Sequence, residues 1–222
     1  MVIIIAVPLS LTLLLSNRYI QNVLVDKATA YISEYLDTKV DIGYIEYKIP
    51  ATVALNDVYV EDRSKDTLAY IKSLSASVSI TKLFQKCIVI NGIGVDSARF
   101  YLKADSLGNT NMDFIVDNFK DAQIGDVDFT LKAPDIHIKG CKFKFDNTDT
   151  EPLSSRRFDP NHIVVDGVDI NFVLNYASKD SIAATLKHFT CKEKSGFILS
   201  HIGTSVFVSK NRLVVSDLVV KM

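Results

Sequence analysis

The chain has 222 residues, 48% of them hydrophobic, and a formal net charge of −1. This length allows one large domain or two ordinary ones, and the apolar content supplies a sizeable buried surface. The near-zero charge excludes the basic footprint of a nucleic-acid-binding protein, so we expect no nucleic-acid partner.

Residues 1–16 are almost wholly apolar. The apolar run of about 15 residues is shorter than the roughly 20 residues with which a helix spans a bilayer. No basic residues precede it, and the residues that follow, Leu15-Ser16-Asn17-Arg18, are a poor signal-peptidase site. We interpret residues 1–16 as a membrane anchor. A cleaved signal and a buried core helix are the alternatives.

Residues 17–38 are predicted to form an amphipathic helix. Apolar side chains recur there at steps of three and four residues, which is typical of one helical stripe. The stripe consists of Ile20, Val23, Leu24, Ala28, Tyr31, Ile32, Tyr35 and Leu36. Such a stripe needs a partner, either the membrane or the open end of a sheet. The second is commoner, so we expect the helix to cap the sheet.

Residues 39–222 are dominated by strand-like alternation and by one eight-residue pattern. It reads apolar, any, apolar, polar, Gly or Asp, apolar, any, apolar. The five copies are residues 53–60, 88–95, 136–143, 163–170 and 213–220. Each half has the two-residue period of a strand, and the phase slips by one residue at the central pair.

Two geometries explain this slip. In a tight hairpin the residues that flank the turn face the same side, and Asn-Gly and Asp-Gly favour such turns because both positions need positive φ. Alternatively, one strand continues through a β-bulge that restores the apolar face. We favour the hairpin at Asn91-Gly92 and Asp166-Gly167, whereas the pairs at 56–57 and 216–217 are weaker turn signals. The fold class is therefore predicted to be mainly β, built from hairpin repeats.

The sequence contains no recognisable catalytic or cofactor motif. His137, His162, His188 and His201 are scattered without partners at metal-ligand spacing. The three cysteines, Cys87, Cys141 and Cys191, lie in apolar strand-like runs and are expected to be buried structural thiols. We therefore expect no catalytic residues, no metal and no cofactor, and predict that the chain is not an enzyme.

The last strand-like run reaches Met222 without a polar tail. A sheet that ended there would present an unprotected edge, which is an aggregation hazard. We therefore expect the β region to continue in a longer protein.

The order of these elements resembles the N-terminal part of the AsmA-like family, which includes the TamB-type translocation and assembly proteins of double-membraned bacteria. The likeness rests on the apolar segment and on the stretches at 35–43, 55–62, 66–68, 90–93, 100–102, 105–109 and 192–197. Asp37 departs from the pattern, because the family usually has Gly after the Leu at this point.

The resemblance implies an inner-membrane protein whose bulk lies in the periplasm. The expected architecture is a membrane helix (1–16), an amphipathic helix (17–38) and an elongated, curled, mostly antiparallel sheet (39–222) that forms an open groove. The implied function is non-enzymatic transfer of phospholipid between the inner and outer membranes. Candidate groove residues are Val58, Val60, Val78, Ile80, Ile93, Val95, Phe143, Phe145, Ile170 and Phe172.

Two alternatives remain open at this point. The first alternative to lipid transfer is a scaffold that helps outer-membrane proteins assemble, with an outer-membrane assembly protein as its partner. The second is an anchored closed β-sandwich that serves as an interaction domain. In the first alternative exposed sheet edges template strands of the partner. For each candidate groove residue, ordinary sheet core is the competing interpretation.

Overall fold

The computed structural model describes residues 17–49, 51–79, 90–121, 131–154, 157–178 and 180–222. The predicted anchor at 1–16 and the candidate groove residue Ile80 lie outside these ranges. The described helices are α1 (Arg18–Leu36) and α2 (Asp113–Asp121). The described strands are β1 (Val40–Lys48), β2 (Thr52–Glu61), β3 (Thr67–Val78), β4 (Ile90–Ala104), β5 (Leu131–Asn147), β6 (His162–Ala177), β7 (Ser181–Glu193), β8 (Ile198–Leu199), β9 (His201–Ser209) and β10 (Arg212–Lys221).

These strands form one open sheet in the order β1-β2-β3-β4-β5-β6-β7-β9-β10, with the short β8 paired to β7. Every neighbouring pair is antiparallel except β4 and β5, which are parallel. A parallel pair needs a crossover connection, and the chain between β4 and β5 contains α2. The prediction of a mainly β, mostly antiparallel and open sheet is confirmed.

The hairpin interpretation at Asn91-Gly92 and Asp166-Gly167 is wrong, and the alternative, a continuous strand with a bulge, is what the structure shows there. Asn91-Gly92 lies inside β4, and Asp166-Gly167 lies inside β6. Both strands continue through these pairs because their neighbours bond to residues on either side of them. The register between β3 and β4 shifts where Val78 pairs with Ile90, so Asn91 is the extra residue of a bulge. The repeated unit is therefore a bent strand, not a hairpin.

The bend coincides with residues in the left-handed region of φ. Asp57, Gly140, Gly167 and Asp217 occupy the fifth position of their copies, with φ of 54°, 60°, 59° and 56°. On β4 this role belongs to Ser97, with φ of 54°, not to Gly92. The bends of β4 and β5 align, since a Cβ on Gly140 would lie 3.7 Å from Ser97 Oγ.

The apolar face continues across the bend. On β2, Leu55 precedes Asp57 and Val58 follows it, yet both belong to one packed cluster. A simple two-residue alternation would place these two side chains on opposite faces. The left-handed residue between them therefore brings the apolar side chains before and after it to the same face of the sheet.

The hydrophobic core lies between the first strands and the two helices. Its buried members are Val40, Ile42, Val58, Val60, Leu68 and Ala69, and packed against them are Val25, Ala28, Ile32, Leu36, Leu55, Ile71, Met112, Phe114 and Ile115. The outer residues of the predicted α1 stripe do not share this contact. Tyr31 is 71% exposed, so the stripe that faces the sheet is narrower than predicted.

Helix α1 also covers part of the outer edge of β1. Both the N–H and the C=O of Val40 bond to Ser33 Oγ, at 3.1 and 3.3 Å. Further along the strand, Gln21 Nε2 donates to the carbonyl of Ile45 at 3.2 Å. Unpaired backbone groups on an edge strand template further pairing. The side chains of α1 thus occupy backbone groups that a foreign strand would need.

Buried Asp159 fixes the loop that precedes β6. Its Oδ2 accepts from the N–H of Leu153 at 2.8 Å, its Oδ1 accepts from the N–H of Asn161 at 3.0 Å, and Nδ1 of His162 lies 3.2 Å from Oδ2. The Leu153 bond is the main reason why the pKa of Asp159 is lowered. The ionised form of the Asp159 carboxyl, which accepts the two backbone N–H bonds, is therefore favoured in the folded loop.

We expect Asp159→Asn to weaken the acid dependence of unfolding. A lowered pKa in the folded state stabilises the fold above the unfolded value of about 3.9, and this stabilisation is lost as the pH falls through the folded-state pKa. Urea unfolding between about pH 6 and pH 2 should thus give a flatter pH profile for the variant. Glu151→Gln, in the same loop and exposed, is the control. An unchanged profile for Asp159→Asn would contradict the prediction.

Candidate functional site

Two apolar rows cross five neighbouring strands, β3 to β7, on one side of the bend. Directly paired residues on adjacent strands point to the same face. The first row is Leu74, Val95, Ile138, Ile170 and Phe189, and the second is Ala76, Ile93, Ile136, Phe172 and Leu186. On the other side of the bend the rows continue with Phe100, Phe143 and Val165, and with Leu102, Phe145 and Ile163. We call these rows the apolar face.

Most of the apolar face is half-buried. The candidates Ile93, Val95, Phe143, Phe145, Ile170 and Phe172 all lie in it and have intermediate exposure. Phe100, which pairs with Phe143, is 38% exposed, whereas Ile136 is only 8% exposed. The structure therefore brings together six of the ten candidate residues on one surface that crosses three strands.

Val58 and Val60 lie elsewhere. They are 6% and 8% exposed and belong to the core that packs against α1 and α2. For these two residues the competing interpretation, ordinary sheet core, describes their surroundings. Val78 lies at the end of β3, opposite Ile90, with intermediate exposure. The apolar face that remains accessible begins beyond the strands that the helices cover.

The opposite face of the same strands is polar. The residues between the apolar ones form the paired row Ser75, Gly94, His137, Asn171 and His188. Gly94 lies close to its neighbours: a Cβ there would lie 2.6 Å from Ser75 Oγ and 2.8 Å from His137 Nε2, so these side chains would have to shift. Nδ1 of His188 lies 3.0 Å from Nδ1 of His201.

Sequence reasoning treated these histidines as isolated surface residues and missed their grouping. His137, His188 and His201 come from β5, β7 and β9, so only the strand order brings them near one another. The one available signal was that His137 lies between Ile136 and Ile138, which places it on the polar side of a strand.

The described residues contain no group of three or more His, Cys, Asp or Glu side chains that could hold a metal ion. Cys141 is buried and accepts a hydrogen bond from the N–H of Ala98 at 3.3 Å. Burial raises the pKa of both Cys141 and Cys191, which disfavours the reactive thiolate. Cys87 lies outside the described residues.

The described part of the chain contains no helix that is both long and apolar enough to cross a membrane. The anchor predicted at 1–16 lies outside that part.

The two ends of the sheet differ. At one end α1 covers part of the edge of β1, as described above. At the other end β10 pairs only with β9 among the described strands, and its side chains are widely exposed. Leu213 and Leu218 are 69% and 62% exposed. A strand added to this sheet would therefore meet less obstruction at β10 than at β1.

Comparison with known proteins agrees with the resemblance seen in the sequence. The AsmA family profile matches residues 1–166, which is 166 of the 222 residues. No curated protein matches the chain. The family match covers the N-terminal segment, both helices and every strand from β1 to β5. On this evidence the chain belongs to the AsmA family.

Proposed function

We propose that this protein acts in the bacterial envelope without catalysis, and that its apolar face carries the acyl chains of phospholipids between the inner and outer membranes. AsmA family membership is consistent with a protein of the envelope. The observation that carries the proposal is the continuity of the apolar rows from β3 to β7. Neighbouring strands are about 4.8 Å apart, so these five strands extend the face by roughly 19 Å.

An acyl chain that leaves an apolar surface is exposed to water, which is unfavourable. Each CH₂ group moved from an apolar surface into water costs about 0.8 kcal/mol. A continuous apolar surface removes this cost along its whole length, while the lipid headgroup stays in water. Movement along such a surface needs no reacting group. The aromatic side chains of Phe143, Phe145 and Phe172 add area because each is large and half-buried.

The segments that flank the apolar face also have roles in this proposal. In this proposal residues 1–16 anchor the protein in the inner membrane, and the strands lie in the periplasm. Helices α1 and α2 cover the first strands, so the apolar face opens to lipid only beyond them. We therefore leave Val58 and Val60 out of the proposed lipid-facing set.

Photo-crosslinking tests the proposal. A photoreactive amino acid is placed at Phe145 or Phe172 in the full-length protein in cells with both membranes, and captured phospholipid is identified by mass spectrometry. The matched controls are Lys144 and Val173, which are adjacent to Phe145 and Phe172 on the same strands and point to the opposite face. We expect capture at the phenylalanine positions only. Equal capture at all four positions, or none, would contradict the proposal.

A scaffold for the assembly of outer-membrane proteins is the second candidate. The observation that favours it is the accessible, apolar edge strand β10. An edge strand pairs with an incoming strand through its backbone, and charged side chains on it oppose such pairing. If Leu213→Lys with Leu218→Lys abolishes function while charges on the apolar face are tolerated, the scaffold is the better explanation.

The closed β-sandwich that the sequence left open requires two packed sheets. The described strands form a single sheet whose order runs from β1 to β10 without closure. The described part of the chain therefore does not support that alternative.

A further inference from the structure

A depression on the polar face brings together polar side chains from three strands. Its volume is about 300 Å³, and its lining side chains include His137, Lys139, Asp169, Asn171, Lys187 and His188. β5 contributes the first two, β6 the next two and β7 the last two. Ladder pairing places His137, Asn171 and His188 side by side. None of these six residues belongs to the apolar face; Ile138 and Ile170, which do belong to it, also line the depression.

Two lysines, Lys139 and Lys187, line the depression. Among the described residues, neither Lys139 nor Lys187 forms an ion pair. The situation differs three residues further along β5, where Lys142 Nζ lies 2.5 Å from Asp166 Oδ1. Both unpaired lysines are exposed, so their ammonium groups are free to turn toward a ligand.

The carboxylate that lines the depression is already engaged. Asp169 Oδ1 accepts a hydrogen bond from the N–H of Gly140 at 2.6 Å. Gly140 is the left-handed residue at the bend of β5, so the bend itself aims this N–H at the carboxylate. Lys139 and Lys187 bring two positive charges to the lining against the one carboxylate of Asp169. Two further carboxylates flank the depression: Asp96 pairs with Lys139 across the ladder, and Asp135 Oδ2 lies 3.7 Å from His137 Nδ1.

Neutral polar groups complete the depression. Asn171 Oδ1 is buried and has no hydrogen-bond partner. A buried acceptor of this kind needs a donor, and a half-turn of the amide would present Nδ2 instead. The contact between Nδ1 of His188 and Nδ1 of His201 orients the His188 ring and leaves Nε2 as its other hydrogen-bonding atom.

We propose that this depression binds a phosphate group. Lysine ammonium groups bind phosphate as point charges, and imidazole and amide groups add directed hydrogen bonds. Asn171 suits either an anionic oxygen or a protonated one, depending on the orientation of its amide. The same chemistry is offered by a free phosphate ester and by the phosphate of a lipid headgroup. The inference goes beyond acyl-chain transport, because it uses the opposite face of the sheet.

Calorimetric titration of the full chain in a non-ionic detergent tests the proposal. The three probes are inorganic phosphate, glycerol 3-phosphate and the short-chain lipid dihexanoyl phosphatidate. We expect saturable binding that weakens at least about tenfold when Lys139→Ala and Lys187→Ala are combined, because charge-assisted bonds are lost. The matched control combines Lys142→Ala and Lys144→Ala, which removes two lysines that are already ion-paired on β5. Binding by this control should stay within about twofold of the unmodified chain.

The three probes distinguish free phosphate compounds from lipid headgroups, and the variants distinguish a phosphate site from lipid binding at the apolar face. Binding of all three probes assigns the site to free phosphate compounds, and binding of dihexanoyl phosphatidate alone assigns it to lipid headgroups. No saturable binding of any probe overturns the proposal. So does lipid binding that is equal in both double variants, since the apolar face would then hold the lipid.

Lys187→Glu, a single exposed change, gives the same test if the Lys139/Lys187 variant is poorly folded. Crosslinking from Phe172 does not depend on these lysines, so the proposed acyl-chain role stands or fails separately.

Discussion

Replacement of Phe172 by glutamate is expected to lower phospholipid capture by the apolar face at least about tenfold, which corresponds to about 1.4 kcal/mol. Phe172 lies between Ile136 on β5 and Leu186 on β7. An ionised carboxylate keeps its hydration unless it is paired, so water would enter the row at this point. An acyl chain that crosses the row would then meet water. The measurement is photo-crosslinking from position 145 in the Phe172→Glu variant.

The control for this prediction is Val173→Glu. It places the same charge on the same strand but on the opposite face. Position 145 lies on β5, on the other side of the bend from the paired row that contains Phe172. A loss of capture there would show that the face acts as one continuous surface. Unchanged capture in Phe172→Glu, or equal losses in both variants, would contradict the proposed use of the face.

Replacement of Ile42 by alanine is expected to lower the free energy of unfolding by about 2–5 kcal/mol. Ile42 is 6% exposed and belongs to the core that joins β1 and β2 to both helices. The change removes three buried carbon atoms and leaves a cavity that the sheet backbone cannot close. Total stabilities of domains are about 5–15 kcal/mol, so this single change consumes a large share.

The measurement for Ile42→Ala is urea unfolding monitored by circular dichroism. Tyr44→Ala is the matched control, because Tyr44 lies two residues along the same strand and is 44% exposed. We expect that control to change stability by less than about 1 kcal/mol. Equal effects of the two substitutions would show that the helices do not seal the first strands, and the boundary that we draw for the apolar face would then be wrong.

The sheet could be predicted from the sequence because alternation is a local property. The runs that contain Leu74 and Ile170 have the period of a strand whatever their partners are, and both lie in strands. The family could also be recognised, since the order of helix, strands and loops is carried by many short stretches. Neither prediction required knowledge of which strands are neighbours.

The hairpin interpretation failed because turn propensity is weaker than the surrounding ladder. Asn91-Gly92 and Asp166-Gly167 are strong turn pairs in isolation. In the sheet, flanking strands bond to both sides of each pair and keep the strand continuous. The bend of β4 also lies at Ser97, which carries no glycine signal. Asp96 Oδ1 accepts from Ser97 Oγ at 2.8 Å, a local bond that position-by-position pattern matching does not detect.

Only part of the candidate site could be predicted from the sequence, because strand alternation does not show which side chains other elements cover. Alternation assigns Val58 and Phe172 equally to an apolar side, but it does not say what covers that side. Coverage depends on α1 and α2, which contact the first strands through long-range packing. The polar depression was missed entirely, because Lys139, Asn171 and Lys187 become neighbours only through the order of β5, β6 and β7.

The bend within individual strands has a consequence for how such a sheet can diversify. The left-handed residues that keep the apolar side chains together lie inside five of the described strands, at Asp57, Ser97, Gly140, Gly167 and Asp217. The loops do not contain these residues, and the loops at 62–66 and 210–211, which join β2 to β3 and β9 to β10, differ in length. The length of a loop can therefore change without a change in the sequence of the strands that it joins. Insertions in the loops should alter the surface that partners meet while the cross-section of the sheet stays constant.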